Sequence, residues 1–248
     1  MNAALAAVAF VPGLAVGSFL NVVAARIPLG RSVLAPASAC MSCEQTLAWY
    51  DNVPLLSYVL LRGRCRSCGT AIPWKYPLVE LATGLLVAAC FLVYGFTWDA
   101  AVGSLFCAAL LAVSVTDLER RIIPNKIVLP AAAVVLAAQT LLHPSVEWLL
   151  AGLGASGFLL AAALVYPAGM GMGDVKLALL LGVMLGRVVP VALMVGMLSA
   201  LVPAIVLLVR HGHAGRKMGI AFGPFLALGG AIGLFAGKPL LDAYLSLL

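Results

Sequence analysis

Long apolar segments follow one another along most of the chain, and short segments with charged residues separate them. A helix needs about 20 residues, at about 1.5 Å each, to cross roughly 30 Å of hydrocarbon. The apolar segments predict about eight membrane-spanning helices, at 1–25, 77–97, 100–117, 127–142, 146–167, 174–187, 188–209 and 219–237. Only 26–76 forms a sizeable polar stretch. We therefore expect an all-α integral membrane protein, a polytopic bundle with a small polar module between its first and second helices.

The composition excludes an ordinary soluble domain, because 64% of the residues are hydrophobic and only 10% are charged. The first apolar segment has no Lys or Arg before Arg26, so it lacks the positively charged start of a cleavable signal peptide. It is predicted to remain as a transmembrane helix.

The basic residues predict the orientation of the bundle. Thirteen of the 15 fall on one side of the predicted helices, and only Arg187 and Lys238 fall on the other. The thirteen are Arg26, Arg31, Arg62, Arg64, Arg66, Lys75, Arg120, Arg121, Lys126, Lys176, Arg210, Arg216 and Lys217. By the positive-inside rule their side is cytoplasmic and the N-terminus lies outside. The net charge of +6 thus indicates topology and favours anionic lipid, and no basic patch with interleaved aromatic residues suggests nucleic acid.

The polar module contains two CxxC pairs, CMSC at 40–43 and CRSCG at 65–69. Two such pairs with 21 residues between them are typical of a zinc ribbon, in which each pair supplies two thiolates to one tetrahedral Zn²⁺. The predicted ligands are Cys40, Cys43, Cys65 and Cys68, and Gly69 suits the turn of the second pair. Disulfides or free thiols are the alternatives, and a reducing cytosol disfavours disulfides.

Other thiol and imidazole groups are weaker candidates for a metal site. Cys90 and Cys107 fall within predicted helices, where packing is the better interpretation. His211 and His213 have no Cys or carboxylate beside them, so their segment is interpreted as a solvated basic loop.

Carboxylates are scarce in this chain, and one at membrane depth is a functional candidate. Asp117 ends one predicted helix and Asp174 begins another, and opposite directions of travel bring both to the cytoplasmic end. Two carboxylates in one low-dielectric site share a proton, so one activates water while the other polarises a peptide carbonyl. Gly171 and Gly173 permit a sharp bend or a close substrate strand, and the helix after Asp174 is predicted to be short.

Structural roles explain some of these residues equally well. Asp174 after a glycine is also a good helix N-cap, and Asp117 lies in a charged helix boundary. Lys176 either tunes Asp174 electrostatically or extends to the interface, and Glu80 is interpreted as a first-turn or interfacial acid before a catalytic one.

Several separated segments resemble bacterial type IV prepilin peptidases, in the order expected. They are GSFLNVVAARIP at 17–28, the two CxxC pairs, DNVPLLSYVLLRGRCRSCG at 51–69, YPLVELATG at 76–84, TDLERRIIPN at 116–125, GMGDVKL at 171–177 and AFGPFLALG at 221–229. The resemblance implies a GxGD intramembrane aspartic peptidase that removes the short basic leader of a prepilin or pseudopilin, usually after Gly. Its two aspartates fall on Asp117 and Asp174.

The tetracysteine pattern is similar to that of members that also N-methylate the new N-terminal residue with S-adenosylmethionine. The resemblance thus implies a first helix at 1–25, a methyltransferase-associated module at 26–76 and a peptidase domain at 77–248, in the bacterial inner membrane. The motif before Gly223 departs slightly from that of some relatives, reading Ile220-Ala221-Phe222, and the Pro-Ala-Leu motif of presenilin-like peptidases is absent.

Three alternatives remain at the level of the sequence. One is a peptidase without methyltransferase activity. Another is a small proton-coupled transporter, although no internal repeat is visible and both acids fall at the rim. The third is a membrane scaffold that docks partners through its zinc module, which leaves the paired acids unexplained.

Overall fold

The computed structural model describes residues 2–166, 170–212 and 219–246, so His213, Arg216 and Lys217 lie outside the described residues. Within these ranges the fold is helical and has no strand. The α-helices are α1 (Asn2–Arg26), α2 (Leu56–Leu60), α3 (Lys75–Tyr94), α4 (Trp98–Arg120), α5 (Asn125–Leu142), α6 (Glu147–Val165), α7 (Met172–Leu185), α8 (Val189–His211) and α9 (Gly223–Leu245). The all-α prediction is confirmed, with the polar module between α1 and α3.

Seven segments of the described chain are long and apolar enough to cross a membrane. The sequence predicted about eight because it counted α7 and α8 separately, whereas they form one apolar run of 39 residues, Met172–Arg210. Large apolar side chains on the helices are exposed, among them Val165 at 86% and Val209 at 78%. Such surfaces suit contact with lipid rather than water. The chain is therefore a multi-pass membrane protein.

The first compact unit comprises Met1–Ala112, and α1 and α3 pack closely within it. A Cβ atom on Gly13 would lie 2.9 Å from Gly84 Cα, and one on Gly17 would lie 2.7 Å from Glu80 Cα. Glycines that face a neighbouring backbone at this distance are typical of closely packed membrane helices. The polar module connects these two helices, so its ends are held side by side.

The second compact unit comprises Val113–Leu248 and contains the end of α4 and all of α5 to α9. The centre of this unit is α7, whose residues from Asp174 to Leu185 are almost all buried. α6 lies directly against it, since a Cβ atom on Gly182 would lie 2.5 Å from Gly152 Cα. With 14 residues, α7 is about 21 Å long, so the prediction of a short helix after the GxGD sequence is confirmed.

The far end of α7 is fixed by an ion pair. The helix ends at Gly186, which has a φ of +55°, a conformation that favours glycine. Arg187 then donates from its main-chain N to Glu147 Oε1 at 2.9 Å and from Nε to Glu147 Oε2 at 3.0 Å. Glu147 is itself partly exposed, so water also reaches this carboxylate. It neutralises Arg187, one of the two exceptions to the basic-side pattern.

The tight contact between α6 and α7 generates a prediction for stability. Replacing Gly182 with Ala is expected to lower the Tm of the detergent-solubilised protein by several degrees, because the new methyl group meets the backbone of α6 and overpacking costs about 1–3 kcal/mol. Gly154→Ala in α6 is the matched control, since no atom lies within 4 Å of its Cβ position. Equal Tm values for the two variants would contradict this packing.

Candidate active site and metal centre

Asp117 lies in the last turn of α4 and is held by the first residue of α9. The Gly223 N–H donates to Asp117 Oδ2 at 2.9 Å, across 106 residues of sequence. The first N–H groups of a helix have no partner within the helix, and its N-terminus favours negative charge. Asp117 is only 6% exposed. The end of one apolar helix and the start of another therefore enclose this carboxylate.

Asp174 lies in the first turn of α7 and is 8% exposed. Its Oδ2 accepts a hydrogen bond of 3.2 Å from the N–H of Gly171, which is the N-cap residue of the helix. Its Oδ1 is buried and has no hydrogen-bond partner among the described residues. A capping role thus accounts for one oxygen only. A buried polar atom without a partner is rare in proteins and is expected where a reaction takes place.

The two carboxylates lie in one region of the second unit. They are close enough for the charge on Asp117 to act on Asp174. One side chain, Ile123, also links their surroundings, because it contacts the backbone of both Gly173 and Gly223. The structure therefore brings together the two acids that the sequence singled out. The arrangement supplies two acidic groups, held by two helix N-termini, at the edge of an apolar bundle.

The residues around Asp174 differ in what they contribute. Gly171 has φ −82° and ψ 149°, which any residue adopts, so no glycine-specific bend occurs there. Gly173 is needed for space, since a Cβ atom on it would lie 2.7 Å from Ile123 Cβ. Lys176 Nζ donates to Asn125 Oδ1 at 2.9 Å, which connects the N-terminal part of α7 to the first residue of α5.

The polar module brings its four cysteines into one cluster. The sulfur atoms of Cys40, Cys43, Cys65 and Cys68 all lie within 4.8 Å of one another, and none is in a disulfide. Cys40 Sγ and Cys68 Sγ are 3.8 Å apart. Four thiolates on one tetrahedral zinc, with Zn–S bonds of about 2.3 Å, have sulfurs about 3.8 Å apart. The cluster can therefore hold a metal ion, and its all-sulfur ligand set fits zinc.

The two CxxC pairs form equivalent turns. In the first, the Glu44 N–H donates to Cys40 O at 3.0 Å, and in the second the Gly69 N–H donates to Cys65 O at 2.9 Å. Glu44 and Gly69 hold the same place, with φ of +57° and +70°. The expected turn at Gly69 is confirmed. The first pair uses a non-glycine residue in the same conformation, at a cost of about 1–2 kcal/mol.

The thiols of the module titrate unequally. Hydrogen bonds with the side chain and main chain of Thr70 lower the pKa of Cys68 to about 6. At Cys43 the main chain of Gln45 acts to lower the pKa, but burial and hydrogen bonds with the other three thiols raise it to about 11. A thiol that loses its proton readily is a ready metal ligand, because the thiolate is the binding form.

Two acids have structural roles in the module that the sequence analysis missed. Asp51 accepts bonds from Arg66, with Nη2 at 2.6 Å from its Oδ1, and thereby joins the middle of the module to the second CxxC pair. Glu80 is buried in α3, and its Oε2 accepts a 2.9 Å bond from the N–H of Leu55. Leu55 precedes α2 and has a φ of +58°. Glu80 is therefore an anchor for the module. It is the sixth residue of α3, so its interpretation as a first-turn acid is wrong.

The equivalent turns generate a reciprocal prediction. Gly69→Glu should weaken the affinity for Zn²⁺ by about tenfold, because a side chain in the left-handed region costs about 1–2 kcal/mol and the space beside Gly69 is otherwise open. Glu44→Gly removes the same strain from the first pair and should bind at least as tightly as the native chain. Chelator competition measures both. Native affinity in Gly69→Glu would show that the turn carries no strain.

Comparison with known proteins shows the family of the chain. Residues 11–94 match the bacterial peptidase A24 N-terminal domain, and residues 104–209 match the type IV leader peptidase family. Three curated relatives share the name prepilin leader peptidase/N-methyltransferase. The protein of Bacillus subtilis (strain 168) is 34% identical over 243 residues, covering 96% of this chain and 97% of the relative. That of Pseudomonas aeruginosa is 36% identical over 266 residues, covering 94% and 91%.

The third relative, from Myxococcus xanthus (strain DK1622), is 38% identical over 218 residues, covering 84% of this chain. The matched part is 64% of that longer protein, just under two thirds of its length. No solved structure gives a significant match. The two family matches and the nearly full-length similarity lead to one conclusion: this chain belongs to the prepilin leader peptidase/N-methyltransferase family.

Proposed function

We propose that this chain is an intramembrane aspartic endopeptidase that cleaves the basic leader from a type IV prepilin or pseudopilin, with Asp117 and Asp174 as its catalytic residues. One observation carries the proposal. Two carboxylates, each less than a tenth exposed, lie within electrostatic reach of each other, and Oδ1 of Asp174 has no hydrogen-bond partner among residues 2–166, 170–212 and 219–246. Family membership supports the same reaction.

In the proposed reaction one proton is shared by the pair. The ionised carboxylate takes a proton from a water molecule as the water oxygen attacks the scissile carbonyl carbon. The protonated carboxylate donates to the carbonyl oxygen, so that the tetrahedral intermediate carries little net charge. The C–N bond then breaks, and the leaving nitrogen receives a proton from the pair. Hydrogen bonds from the N–H groups of Gly171 and Gly223 keep the carboxylates in position throughout.

The membrane supplies much of the substrate positioning. A prepilin has a charged leader before a long apolar helix, so its helix enters the bilayer while the bond to be cut stays near the surface. Holding the bond at that depth removes much of the entropic cost of bringing the reactants together. The distribution of basic residues supports the proposal that this surface faces the cytoplasm from the inner membrane, with the N-terminus outside.

Lys176 is proposed to support the site through position rather than charge. Its bond to Asn125 fixes the start of α7 against the start of α5, and Asp174 lies two residues before it. Gly173 allows Ile123 to approach, and Gly171 supplies the N–H that orients Asp174. All three residues thereby restrict the motion of one catalytic carboxylate.

The second proposed activity is N-methylation of the new N-terminal residue, associated with the module at 26–76. Zinc held by the four cysteines would stabilise this module, which has few buried apolar residues of its own. S-adenosylmethionine would supply the methyl group. Across 2–166, 170–212 and 219–246, no strand leads into a glycine-rich turn and helix, so no residues are assigned to this cofactor.

Isosteric replacement tests the catalytic pair. Asp117→Asn and Asp174→Asn should each abolish leader cleavage of a co-expressed prepilin, because an amide neither takes up nor shares the proton. Mass measurement of the prepilin N-terminus gives the result directly. Asp242→Asn, in the exposed last part of α9, is the control and should cleave normally. Full processing by both site variants would refute the assignment.

Loss of the metal should separate the two activities. Replacing the four module cysteines with Ser should remove bound zinc and reduce methylation more than cleavage, since the aspartate pair lies in the second unit. The mass of the cleaved pilin, with or without one methyl group, distinguishes the outcomes. A variant with Cys90→Ala and Cys107→Ala controls for thiol number and should keep its zinc. Normal methylation by the variant that lacks the four cysteines would contradict the proposed role of the module.

A further inference from the structure

Ile123 lies in the short link between α4 and α5 and touches the backbone beside both carboxylates. A Cβ atom on Gly173 would lie 2.7 Å from Ile123 Cβ, and Gly173 directly precedes Asp174. A Cβ atom on Gly223 would lie 3.2 Å from Ile123 Cδ1, and the Gly223 N–H is the donor to Asp117. The Ile123 side chain therefore occupies space beside the acidic pair that is free because Gly173 and Gly223 have no Cβ atom.

The position of this side chain is rigid. Ile is branched at Cβ and has few accessible χ1 rotamers. The next residue, Pro124, is buried and restricts the backbone of Ile123 to extended conformations. Ile123 itself is only partly buried. Its Cδ1 lies 3.2 Å from the Cβ position of Gly223 and Asp117 Oδ2 lies 2.8 Å from that same position, so the Ile123 side chain lies beside the Asp117 carboxylate. Its neighbour Ile122 is 50% exposed, and none of the three atoms nearest to the Cβ position of either glycine belongs to it.

We propose that Ile123 is a specificity-determining residue, which limits the size of the substrate side chain next to the scissile carbonyl. The inference rests on the peptidase function proposed above. A peptide bond that reacts with both carboxylates must lie within hydrogen-bond reach of each. The residue that contributes its carbonyl then lies against the side chain of Ile123, which is close to Asp117 and to the residue before Asp174. A glycine residue of the substrate fits there without contacting Ile123. Each carbon atom added to the substrate side chain contacts Ile123, which has few other rotamers.

The test compares prepilins that carry Gly, Ala or Val before the scissile bond. In Ile123→Ala the ratio of kcat/KM for the Ala substrate to that for the Gly substrate should rise by about tenfold or more, the usual effect of one methylene group in an apolar pocket. The Val substrate should gain at least as much. Ile122→Ala is the matched control and should leave the ratio unchanged within about twofold.

Three results would overturn the proposal. They are an unchanged ratio in Ile123→Ala, an equal rise in Ile122→Ala, or a loss of Gly-substrate cleavage in the milder Ile123→Val variant, which removes a single methyl group. If Ile123→Ala cleaves no substrate, the same ratio of kcat/KM values is measured in Ile123→Val. A ratio no higher than that of the native chain overturns the proposal. If the native chain fails to cleave the Gly substrate, that result contradicts the proposed peptidase function itself and not only the role of Ile123.

Discussion

The site depends on hydrogen bonds from backbone N–H groups to carboxylates that are buried in an apolar bundle. An isolated charge in such surroundings is unfavourable by many kcal/mol, so a carboxylate persists there only with partners. The start of α9 supplies one partner to Asp117, and the start of α7 supplies one to Asp174. Neither acid receives a basic side chain in a direct ion pair within the described residues. The charge on Arg121 acts on Asp117 without forming an ion pair, so main-chain N–H groups are the direct partners of both acids.

Close helix packing makes this arrangement possible. Glycines at the contacts between α6 and α7 and between α8 and α9 bring backbones within van der Waals distance, which limits the movement of α7 and α9. Because each of these helices carries one of the N–H groups at the site, their packing fixes the carboxylates.

The polar module is stabilised by different interactions. Its few buried residues give it little apolar core, and it depends on the cysteine cluster, the Asp51–Arg66 pair and the anchor at Glu80.

The sequence predicts the structure best where few physical explanations exist for finding a residue type at a given position. Charge-free apolar runs fixed the helical class, the spacing of Cys40, Cys43, Cys65 and Cys68 indicated their cluster, and scarce acids pointed to Asp117 and Asp174. It failed where a residue acts through its backbone or through a distant partner. Nothing in the local sequence indicates that Gly223 donates to an acid 106 residues earlier, or that Glu80 accepts from Leu55. The motif around Gly223 was visible only as a resemblance, and Gly-Pro at a helix start was the one physical signal available.

The shortness of α7 has a consequence for the surrounding lipid. A helix of about 21 Å would normally force a bilayer of about 30 Å to thin around it, at a free-energy cost that grows with each ångström of difference. α7, however, is enclosed by neighbouring protein along nearly its whole length, so few acyl chains reach it. The difference in length is then accommodated inside the protein, and the hydrocarbon around the neighbouring helices keeps its full thickness.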